Sequence, residues 1–196
     1  MPRRRVTFDS LQADAFRAGV VGRTTQSLKW FRRAVQNLTI NRRTLLKDDA
    51  LKEVKRPQTG KMYMYTYDPK TKEDLPYYDK FPLIFMVGPA KGGFYGCNLH
   101  YLDLKRRAIL FDKLTDLATA KNYTKKTRLR ISYDLLSSAS KYKEFAPCFK
   151  RYLLSHVKSR MVEVPSTEWE VALFMPTDQF VKNKRNTVWR KSNKLI

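Results

Sequence analysis

Acidic side chains in the middle of the chain are the residues best suited to chemistry. The carboxylates concerned are Asp68, Asp74, Asp79 and Asp103. Together with Lys105, two positions after Asp103, they are the residue types of a metal-dependent nuclease site. In such a site, carboxylates hold Mg²⁺ and a lysine assists the attacking water. Glu168 and Glu170 form another pair. Such short patterns arise easily by chance in a chain with 40 Lys and Arg residues, and Asp68, Glu73, Asp74 and Asp79 fit better as turn formers and partners of nearby lysines.

The histidines and cysteines are too isolated to predict a catalytic or metal site. His100 lies on a predicted strand, which favours a hydrogen-bonded structural imidazole over a catalytic base. His156 has no ligand partner at metal spacing, and Ser155 beside it lacks the nucleophile-elbow motif of hydrolases. Cys97 and Cys148 lack the spacing of a zinc site and are expected to be reduced thiols. The sequence therefore predicts no catalytic residue, no cofactor and no metal.

The net charge of the chain is its strongest functional signal. Forty Lys and Arg residues against 18 Asp and Glu residues give a formal charge of +22. The excess positively charged side chains repel one another in a compact fold. The charge therefore predicts a polyanionic partner, and nucleic acid is favoured. An anionic membrane surface is less favoured, because the cations alternate with aromatic residues instead of lining one lipid-facing helix. The longest nearly apolar stretch, Phe81–Ala90, is shorter than the roughly 20 residues of a membrane span.

The cations are concentrated in the two ends of the chain. Residues 1–60 carry a net charge of +9, residues 61–120 of +2 and residues 121–196 of +11. The runs 121–130 and 182–194 contain five and six basic residues and no acidic residue. Because no base-reading motif is present, we expect contacts to the phosphate backbone without sequence preference. The residues expected to bind DNA are Lys29, Arg32, Arg33, Arg42, Arg43, Lys121, Lys125, Lys126, Arg128, Arg130, Lys150, Arg151, Lys158, Lys182, Lys184, Arg185, Arg190 and Lys191.

The N-terminal third is predicted to be helical behind a mobile arm. Gly19 and Gly22 interrupt any continuous helix over residues 1–23, where the apolar spacing is irregular, so we expect a mobile basic arm there. Over residues 28–38, apolar residues recur at helical spacing and basic residues occupy the other side, which predicts an amphipathic helix. Residues 41–58 follow as a basic helical or extended connector.

The middle of the chain is predicted to form the β-structure. Residues 62–67, 81–87 and 94–101 are short segments rich in strand-forming residues, and turn-forming residues separate them. The sequence therefore predicts an α+β fold. In this fold a small antiparallel β-sheet or SH3-like barrel, at about residues 61–102, packs against several helices. The tyrosines of the first strand are expected in the core more than on bases.

Helical patterns return in the C-terminal half. Helices are predicted over residues 104–117, 130–142, 147–160, 167–174 and 177–196. Met161–Val164 is predicted to add an edge strand. The domain organisation that follows is a mobile N-terminal arm over residues 1–23, a single α+β domain over 24–176, and a basic C-terminal helix or tail over 177–196.

Four blocks of sequence carry a resemblance to a known family. They are Met62–Lys70, Leu75–Leu83, Gly93–Tyr101 and Val188–Ser192. Together they resemble the DNA end protector, or head-completion, proteins of T-even-like tailed phages. The resemblance implies a non-enzymatic structural protein that binds the ends of packaged double-stranded DNA. It also implies that the protein protects these ends from host exonucleases and completes the head for tail joining.

The same resemblance implies partners and a location. We expect contacts with other virion proteins, namely portal, neck or baseplate components, and no contact with a membrane. The location implied is the virion, with the host cytoplasm during assembly, and self-association into a homo-oligomer is left open. A baseplate-hub or neck subunit that carries the same blocks is the first alternative function, and a metal-dependent nuclease is the second.

Overall fold

The fold is α+β, as the sequence predicts. The computed structural model describes residues 7–22, 24–35, 41–49, 51–119 and 145–194, together with 134, 138 and 143. The α-helices of these residues are α1 (Phe8–Arg17), α2 (Thr25–Ala34), α3 (Arg42–Leu46), α4 (Leu104–Thr119), α5 (Trp169–Phe174) and α6 (Arg185–Lys194). The basic run 121–130 lies outside the described residues, as does nearly all of the helix predicted over 130–142.

The strands form one open antiparallel sheet and one short ribbon. They are β1 (Met62–Met64), β2 (Tyr78–Asp79), β3 (Leu83–Ala90), β4 (Gly93–Asn98), β5 (Phe149–Leu153), β6 (Val162–Val164) and β7 (Phe180–Val181). The main sheet has the order β5-β4-β3-β1-β6, and β2 pairs with β7. Because β5 and β6 are separate edges, the sheet does not close, and the SH3-like barrel alternative is wrong. The sheet also extends beyond residues 61–102, since two of its strands come from the C-terminal half.

A tight hairpin joins the two longest strands of the sheet. Ala90 of β3 pairs with Gly93 of β4, and Lys91 and Gly92 form the loop between them. Gly92 has a φ of +71°, a conformation that glycine adopts without strain. A Cβ atom on Gly93 would lie 1.8 Å from the carbonyl oxygen of Tyr152. The sequence Gly-Gly therefore permits both the turn and the close approach of β5.

The central strands are buried on both faces. Met62 and Met64 of β1 pack into the core between the sheet and the helices, where Phe85 lies 4.8 Å from Trp169 between ring centres. The alternate residue Tyr63 belongs to a second buried cluster on the other face, as side chains alternate along a strand. That second cluster is rich in tyrosine, and the tyrosines of residues 62–67 therefore lie in the core, as expected.

The N-terminal segment contains a packed helix. Thr7 caps α1, because its Oγ1 accepts a hydrogen bond from the Ser10 amide at 3.2 Å. Phe8, Leu11 and Ala15 are buried in the core shared with α2 and α5. The sequence analysis expects a mobile arm over residues 1–23, whereas the structure packs α1 of this segment into the core, and the helix ends at Arg17, before Gly19 and Gly22.

Two further elements differ from the predictions. Residues 149–153 form β5 and not part of a helix over 147–160, because β5 pairs along its whole length with β4. The C-terminal helix begins at Arg185 and not at Thr177, since Phe180 and Val181 pair with β2. The predicted helices at 104–117 and 167–174 and the edge strand at 161–164 are confirmed by α4, α5 and β6. Of the described residues in the connector over 41–58, those of α3 are helical and the others are not.

A buried polar network fixes the β2–β7 ribbon to the main sheet. The Asp79 carboxylate lies 2.6 Å from His100 Nδ1, and it accepts hydrogen bonds from the Asn98 amide group and the Gln179 backbone amide, each at 3.0 Å. The other ring nitrogen of His100 lies 3.0 Å from Thr177 Oγ1. His100 is thus the hydrogen-bonded imidazole that the sequence favours, and the network holds the segment 177–181 in place.

Candidate nucleic-acid interface

Basic residues from three helices meet in one cavity, which we call the α2 cleft. It has a volume of about 510 Å³. Its charged lining residues among those described are Lys29, Arg32, Arg33, Arg107, Asp178 and Arg185. Asp178 is paired with Arg185, whose Nε donates to Oδ2 at 2.8 Å. The three cations of α2 form no ion pair with a described carboxylate, so the cleft has a large positive excess.

The amphipathic pattern of α2 turns its cations toward this cleft. Thr24 caps the helix by accepting from the Ser27 amide at 3.0 Å. Phe31 and Val35 are buried on the core side, and Arg32 and Arg33 are exposed. Both arginines lie in the last turn, where the helix dipole favours positive charge. The predicted basic face of this helix is therefore present and faces a cavity.

Arg107 forms a buried positive wall of the α2 cleft. Its guanidinium is 1% exposed and donates to the carbonyl oxygens of Leu102 at 2.8 Å, Leu173 at 3.1 Å and His100 at 3.3 Å. Burial lowers the pKa of Arg107 to about 10, with Asp178 as the main opposing influence. The side chain is therefore still charged at neutral pH, and it contributes a fixed cation that needs no rearrangement to act on an anion.

A second basic cavity lies beside α3, and we call it the α3 cleft. It has a volume of about 650 Å³. Its basic lining residues are Arg42, Arg43, Lys47, Lys80, Lys158 and Arg160, and no described carboxylate lines it. The guanidinium of Arg42 is bound to the Thr177 carbonyl oxygen at 2.7 Å, and Arg160 lies 3.7 Å from Glu53. The other four cations form no ion pair with a described acid.

The two clefts are neighbours. Asp178 lines the α2 cleft and the next residue, Gln179, lines the α3 cleft. Consecutive Cα atoms are about 3.8 Å apart, so one strand of backbone separates the two cavities. Arg42 braces this backbone by donating to the carbonyl oxygens of Thr177 and Asp178. The cations of both clefts thus lie on either side of the segment that Asp79 and His100 hold in place.

A third cavity combines tyrosine rings with cations, and we call it the tyrosine pocket. It has a volume of about 300 Å³. Its aromatic and basic lining residues are Tyr67, Lys70, Tyr78, Tyr101, Lys150, Arg151 and Tyr152. Lys150 Nζ lies 4.6 Å from the centre of the Tyr101 ring, which is a cation–π contact.

The predicted DNA-binding residues fall into three groups. Nine line the cavities described above, and they are Lys29, Arg32, Arg33, Arg42, Arg43, Lys150, Arg151, Lys158 and Arg185. Four line none of these cavities, and they are Lys182, Lys184, Arg190 and Lys191. Five lie outside the described residues, and they are Lys121, Lys125, Lys126, Arg128 and Arg130. Contact with DNA is still a prediction for all of them.

Lys182 has a structural position. Its Nζ donates to the carbonyl oxygens of Lys72 at 2.9 Å, Glu73 at 2.7 Å and Leu75 at 3.2 Å. Lys182 directly follows β7 and precedes α6 by three residues, and its backbone φ is +66°. The ammonium group is thus used to hold the turn between β1 and β2.

Several cleft residues were not predicted from the sequence. Lys47, Lys80, Arg107 and Arg160 line the clefts and were not among the expected DNA-binding residues. Arg107 had a signal, because it falls three positions after Leu104 and four before Phe111, on the apolar side of α4. An arginine in such a position predicts a buried cation with a specific purpose. The other three carry no local pattern that separates them from ordinary surface cations.

The carboxylates proposed for a nuclease are used in other ways. Asp79 is buried in the network with His100 and Asn98. Asp103 accepts a hydrogen bond from the Arg106 amide at 2.9 Å and pairs with the Arg106 guanidinium at the start of α4. Glu170 accepts a hydrogen bond from Ser27. Over the residues that the structure describes, no three His, Cys, Asp or Glu side chains are grouped to hold a metal ion.

A family comparison identifies the relatives of the chain. The model of the Phage T4 terminal DNA protecting protein family matches residues 9–193. The chain belongs to this family. Membership confirms the resemblance to the DNA end protectors and indicates a phage protein that protects DNA termini. No curated protein and no solved structure matches the chain significantly.

The family match covers the whole candidate interface. All seven strands and every lining residue of the α2 cleft, the α3 cleft and the tyrosine pocket lie within residues 9–193. The three cavities therefore lie within the part of the chain that the family model matches. In the described part of the chain, no helix has the length and apolar character needed to cross a bilayer.

Proposed function

We propose that this member of the family binds the ends of double-stranded DNA through phosphate contacts and blocks the access of exonucleases. The observation that carries the proposal is the convergence of Lys29, Arg32 and Arg33 with Arg185 on one cleft. Arg185 is more than 150 positions from the three cations of α2, and their convergence concentrates positive charge in one cavity. The family is described by the protection of DNA termini, and a cavity of this positive charge suits the phosphate backbone of DNA. Both observations support DNA as the ligand.

The electrostatics of the clefts favour a highly charged ligand over a single small anion. The α3 cleft has no described carboxylate in its lining, and the α2 cleft has one. Several like charges in a concavity reinforce one another, because field lines are focused by the low-dielectric walls. Duplex DNA carries one charge per about 1.7 Å of axis, so neighbouring phosphates can occupy neighbouring clefts and release counterions from both.

The arrangement supports binding without sequence preference. The cations of α2 and α3, together with Arg185 of α6, line concave cavities, and the sequence contains no motif that reads base edges in the major groove. Phosphate contacts fix the position of a protein on DNA and carry no sequence information. We therefore assign the protein a structural function without catalysis, in the virion, where binding at the terminus also completes the head and offers a surface to neck or portal proteins.

Exonuclease protection tests this proposal. Linear duplex incubated with the protein is expected to resist a double-strand exonuclease, and Arg32→Glu/Arg33→Glu is expected to lose protection through a roughly tenfold or greater loss of affinity. Lys55→Glu/Arg56→Glu is the matched control, because these two cations are exposed and line none of the three cavities. Equal protection by both variants would overturn the assignment of the α2 cleft, and DNA cleavage with Mg²⁺ alone would favour the nuclease.

A further inference from the structure

The tyrosine pocket differs in chemistry from the two basic clefts. Four tyrosines line it, of which Tyr78 is half-buried and the other three are buried, and Lys70, Lys150, Arg151 and the buried Asp79 complete its charged lining. Neither basic cleft has a tyrosine among its described lining residues. Aromatic rings beside cations are the combination that holds an unpaired nucleotide, with the base stacked on a ring and the phosphate on the cation.

The aromatic rings of this pocket are held in fixed positions. Tyr152 lies 4.9 Å from Tyr67 and 5.7 Å from Tyr65 between ring centres, in edge-to-face contacts. The Tyr152 hydroxyl accepts a hydrogen bond from Asn98, and the Tyr67 hydroxyl accepts one from the Leu153 amide at 3.1 Å. The pocket is therefore pre-organised, which lowers the entropic cost of binding a flat ligand.

A cation without an acidic partner stands in the same pocket. Lys150 is half-buried beside the Tyr101 ring and forms no ion pair with a described carboxylate. Burial lowers the pKa of Lys150 below its usual value. A bound phosphate would supply the missing counter-charge, since an anion near a buried ammonium favours its charged form. Arg151, which is exposed and donates to the Lys91 carbonyl oxygen at 2.8 Å, adds a second cation.

The pocket opens beside the α3 cleft. Asp79 lines the tyrosine pocket, and the next residue, Lys80, lines the α3 cleft. The two cavities therefore share one segment of backbone as a common boundary. The turn that carries Lys70 and Leu75 is anchored to β7 by Lys182, so this wall of the pocket is tied to the same ribbon.

We propose that the tyrosine pocket receives the terminal nucleotide of one DNA strand, with its base stacked on tyrosine and its phosphate against Lys150 and Arg151. The proposal rests on the proposed function, and it explains how a protein without base-reading contacts can distinguish an end from internal duplex. Only an end offers an unpaired nucleotide at little cost, because bases within a duplex must first be unstacked.

The test uses a 40-base-pair linear duplex with a single unpaired 2-aminopurine nucleotide at each 3′ end. The free probe is fluorescent, and stacking in the pocket is expected to quench it when full-length protein binds. A second duplex carries an abasic nucleotide at the same position. The wild-type protein is expected to bind the abasic duplex roughly tenfold less tightly, the loss expected for one base–aromatic stack.

Variants connect this effect to the pocket. Tyr78→Leu removes a half-buried lining ring and is expected to abolish both the quenching and the preference for the base-bearing end, whereas Tyr78→Phe retains them. Tyr95→Leu is the matched control, because Tyr95 is 49% exposed on β4 and does not line the pocket. If Tyr78→Leu does not fold, the comparison of base-bearing and abasic ends with the wild-type protein decides the matter alone.

The possible failures are distinguishable. Unquenched probe together with equal affinity for the two ends would overturn the terminal-nucleotide site, even if the protein still prefers linear over closed circular duplex. Equal affinity for linear and closed circular duplex would overturn the proposed function and the pocket together. Loss of quenching in Tyr95→Leu as well as in Tyr78→Leu would place the base elsewhere on the sheet and would also overturn the site.

Discussion

The guanidinium of Arg107 lies 5.4 Å from the centre of the Trp189 ring, so a buried cation of α4 and an aromatic ring of α6 together form one wall of the α2 cleft. The indole Nε1 of Trp189 donates to the His100 carbonyl oxygen at 2.9 Å, and Arg107 donates to the same oxygen. One carbonyl thus joins the helix that carries the buried cation to the C-terminal helix. This shared contact therefore helps to fix the position of the C-terminal helix.

The first prediction concerns the geometry of this buried cation. Arg107→Lys keeps the charge, but a single ammonium group cannot reach the three carbonyl oxygens that the planar guanidinium binds. We expect the variant to lose about 2–4 kcal/mol of free energy of unfolding, because buried carbonyl groups are left without donors. Urea denaturation at pH 7 measures the loss.

The neighbouring arginine provides the control for this experiment. Arg106→Lys changes a partly exposed residue that pairs with Asp103 within the same helical turn. Surface pairs of this kind contribute little, so the expected loss is below about 1 kcal/mol. Equal losses in the two variants would contradict the structural role assigned to Arg107.

The second prediction concerns the acid stability of the fold. Burial alone would raise the pKa of Asp79, but His100 and the hydrogen bonds from Gln179 and Asn98 outweigh it and hold the pKa below its usual value. The carboxylate therefore stabilises the fold above the unfolded-state pKa of about 4, and this stabilisation is lost as the pH falls through the folded-state value. We expect the free energy of unfolding to decrease steeply below pH 4.

Substitution of this residue isolates its contribution. Asp79→Asn leaves one acceptor oxygen for several donors, so we expect a loss of about 3–5 kcal/mol at pH 7 and a weaker dependence on pH below 4. Asp74→Asn is the control, because Asp74 is exposed in the turn before β2 and is expected to change stability by less than about 0.5 kcal/mol. An unchanged acid transition in Asp79→Asn would assign acid unfolding to other groups.

The third prediction concerns the α3 cleft. Lys80→Gln/Lys158→Gln neutralises two exposed lining cations that form no ion pair with a described carboxylate. If each contacts one phosphate, the slope of log K against log salt becomes shallower by about 2, with similar losses of affinity for unrelated sequences. Fluorescence anisotropy with a labelled duplex at several salt concentrations measures the slope.

Two cations outside the cavities provide the control for this experiment. Lys55→Gln/Arg56→Gln removes the same charge from a surface that lines none of the three cavities, so the slope should stay near that of the wild-type protein. A shallower slope in both double variants would mean that net charge, and not the α3 cleft, governs binding. A sequence-dependent loss would instead indicate base contacts by these lysines.

The fourth prediction concerns the two thiols. Cys97 and Cys148 are fully buried, with their sulfur atoms 3.0 Å apart, and burial raises the pKa of the Cys148 thiol well above its usual value. Because the thiolate is the reactive form, both thiols should react slowly with a disulfide reagent in the folded protein. Unfolding in guanidinium should release two reactive thiols per chain. Rapid reaction of the native protein would contradict this packing.

The fold was predictable where local pattern and tertiary context agree. Helix α2 follows from its own apolar spacing, which the core then buries at Phe31 and Val35. Strand β5 did not follow, because Phe149, Leu153 and Val157 recur at a spacing that also suits a helix. Residues 149–153 form a strand because they pair with the edge of β4, where Gly93 lets the β5 backbone approach. This contact joins residues distant in the chain, so the local sequence around residue 150 does not predict it.

The sequence predicts many of the basic residues of the candidate site, but it does not predict how they are arranged. Charge alone identified Arg32, Arg33 and Arg185 as cations of interest, and the structure brings them to one cavity. Their convergence depends on the contacts that Asp79 and His100 make with the segment before α6, which link residues far apart in the chain. Local patterns cannot reveal such long-range contacts. The family resemblance, in contrast, was carried by aromatic and turn motifs that shape the tyrosine pocket and the ribbon.

Competition between two forms of one DNA tests the central claim most directly. A linear duplex and a covalently closed minicircle of the same sequence and length compete for the purified full-length protein at physiological salt. We expect the linear form to be bound more tightly, and the preference to persist when the sequence is changed. Equal binding of the two forms would contradict the account, because the clefts would then recognise duplex phosphates without regard to an end.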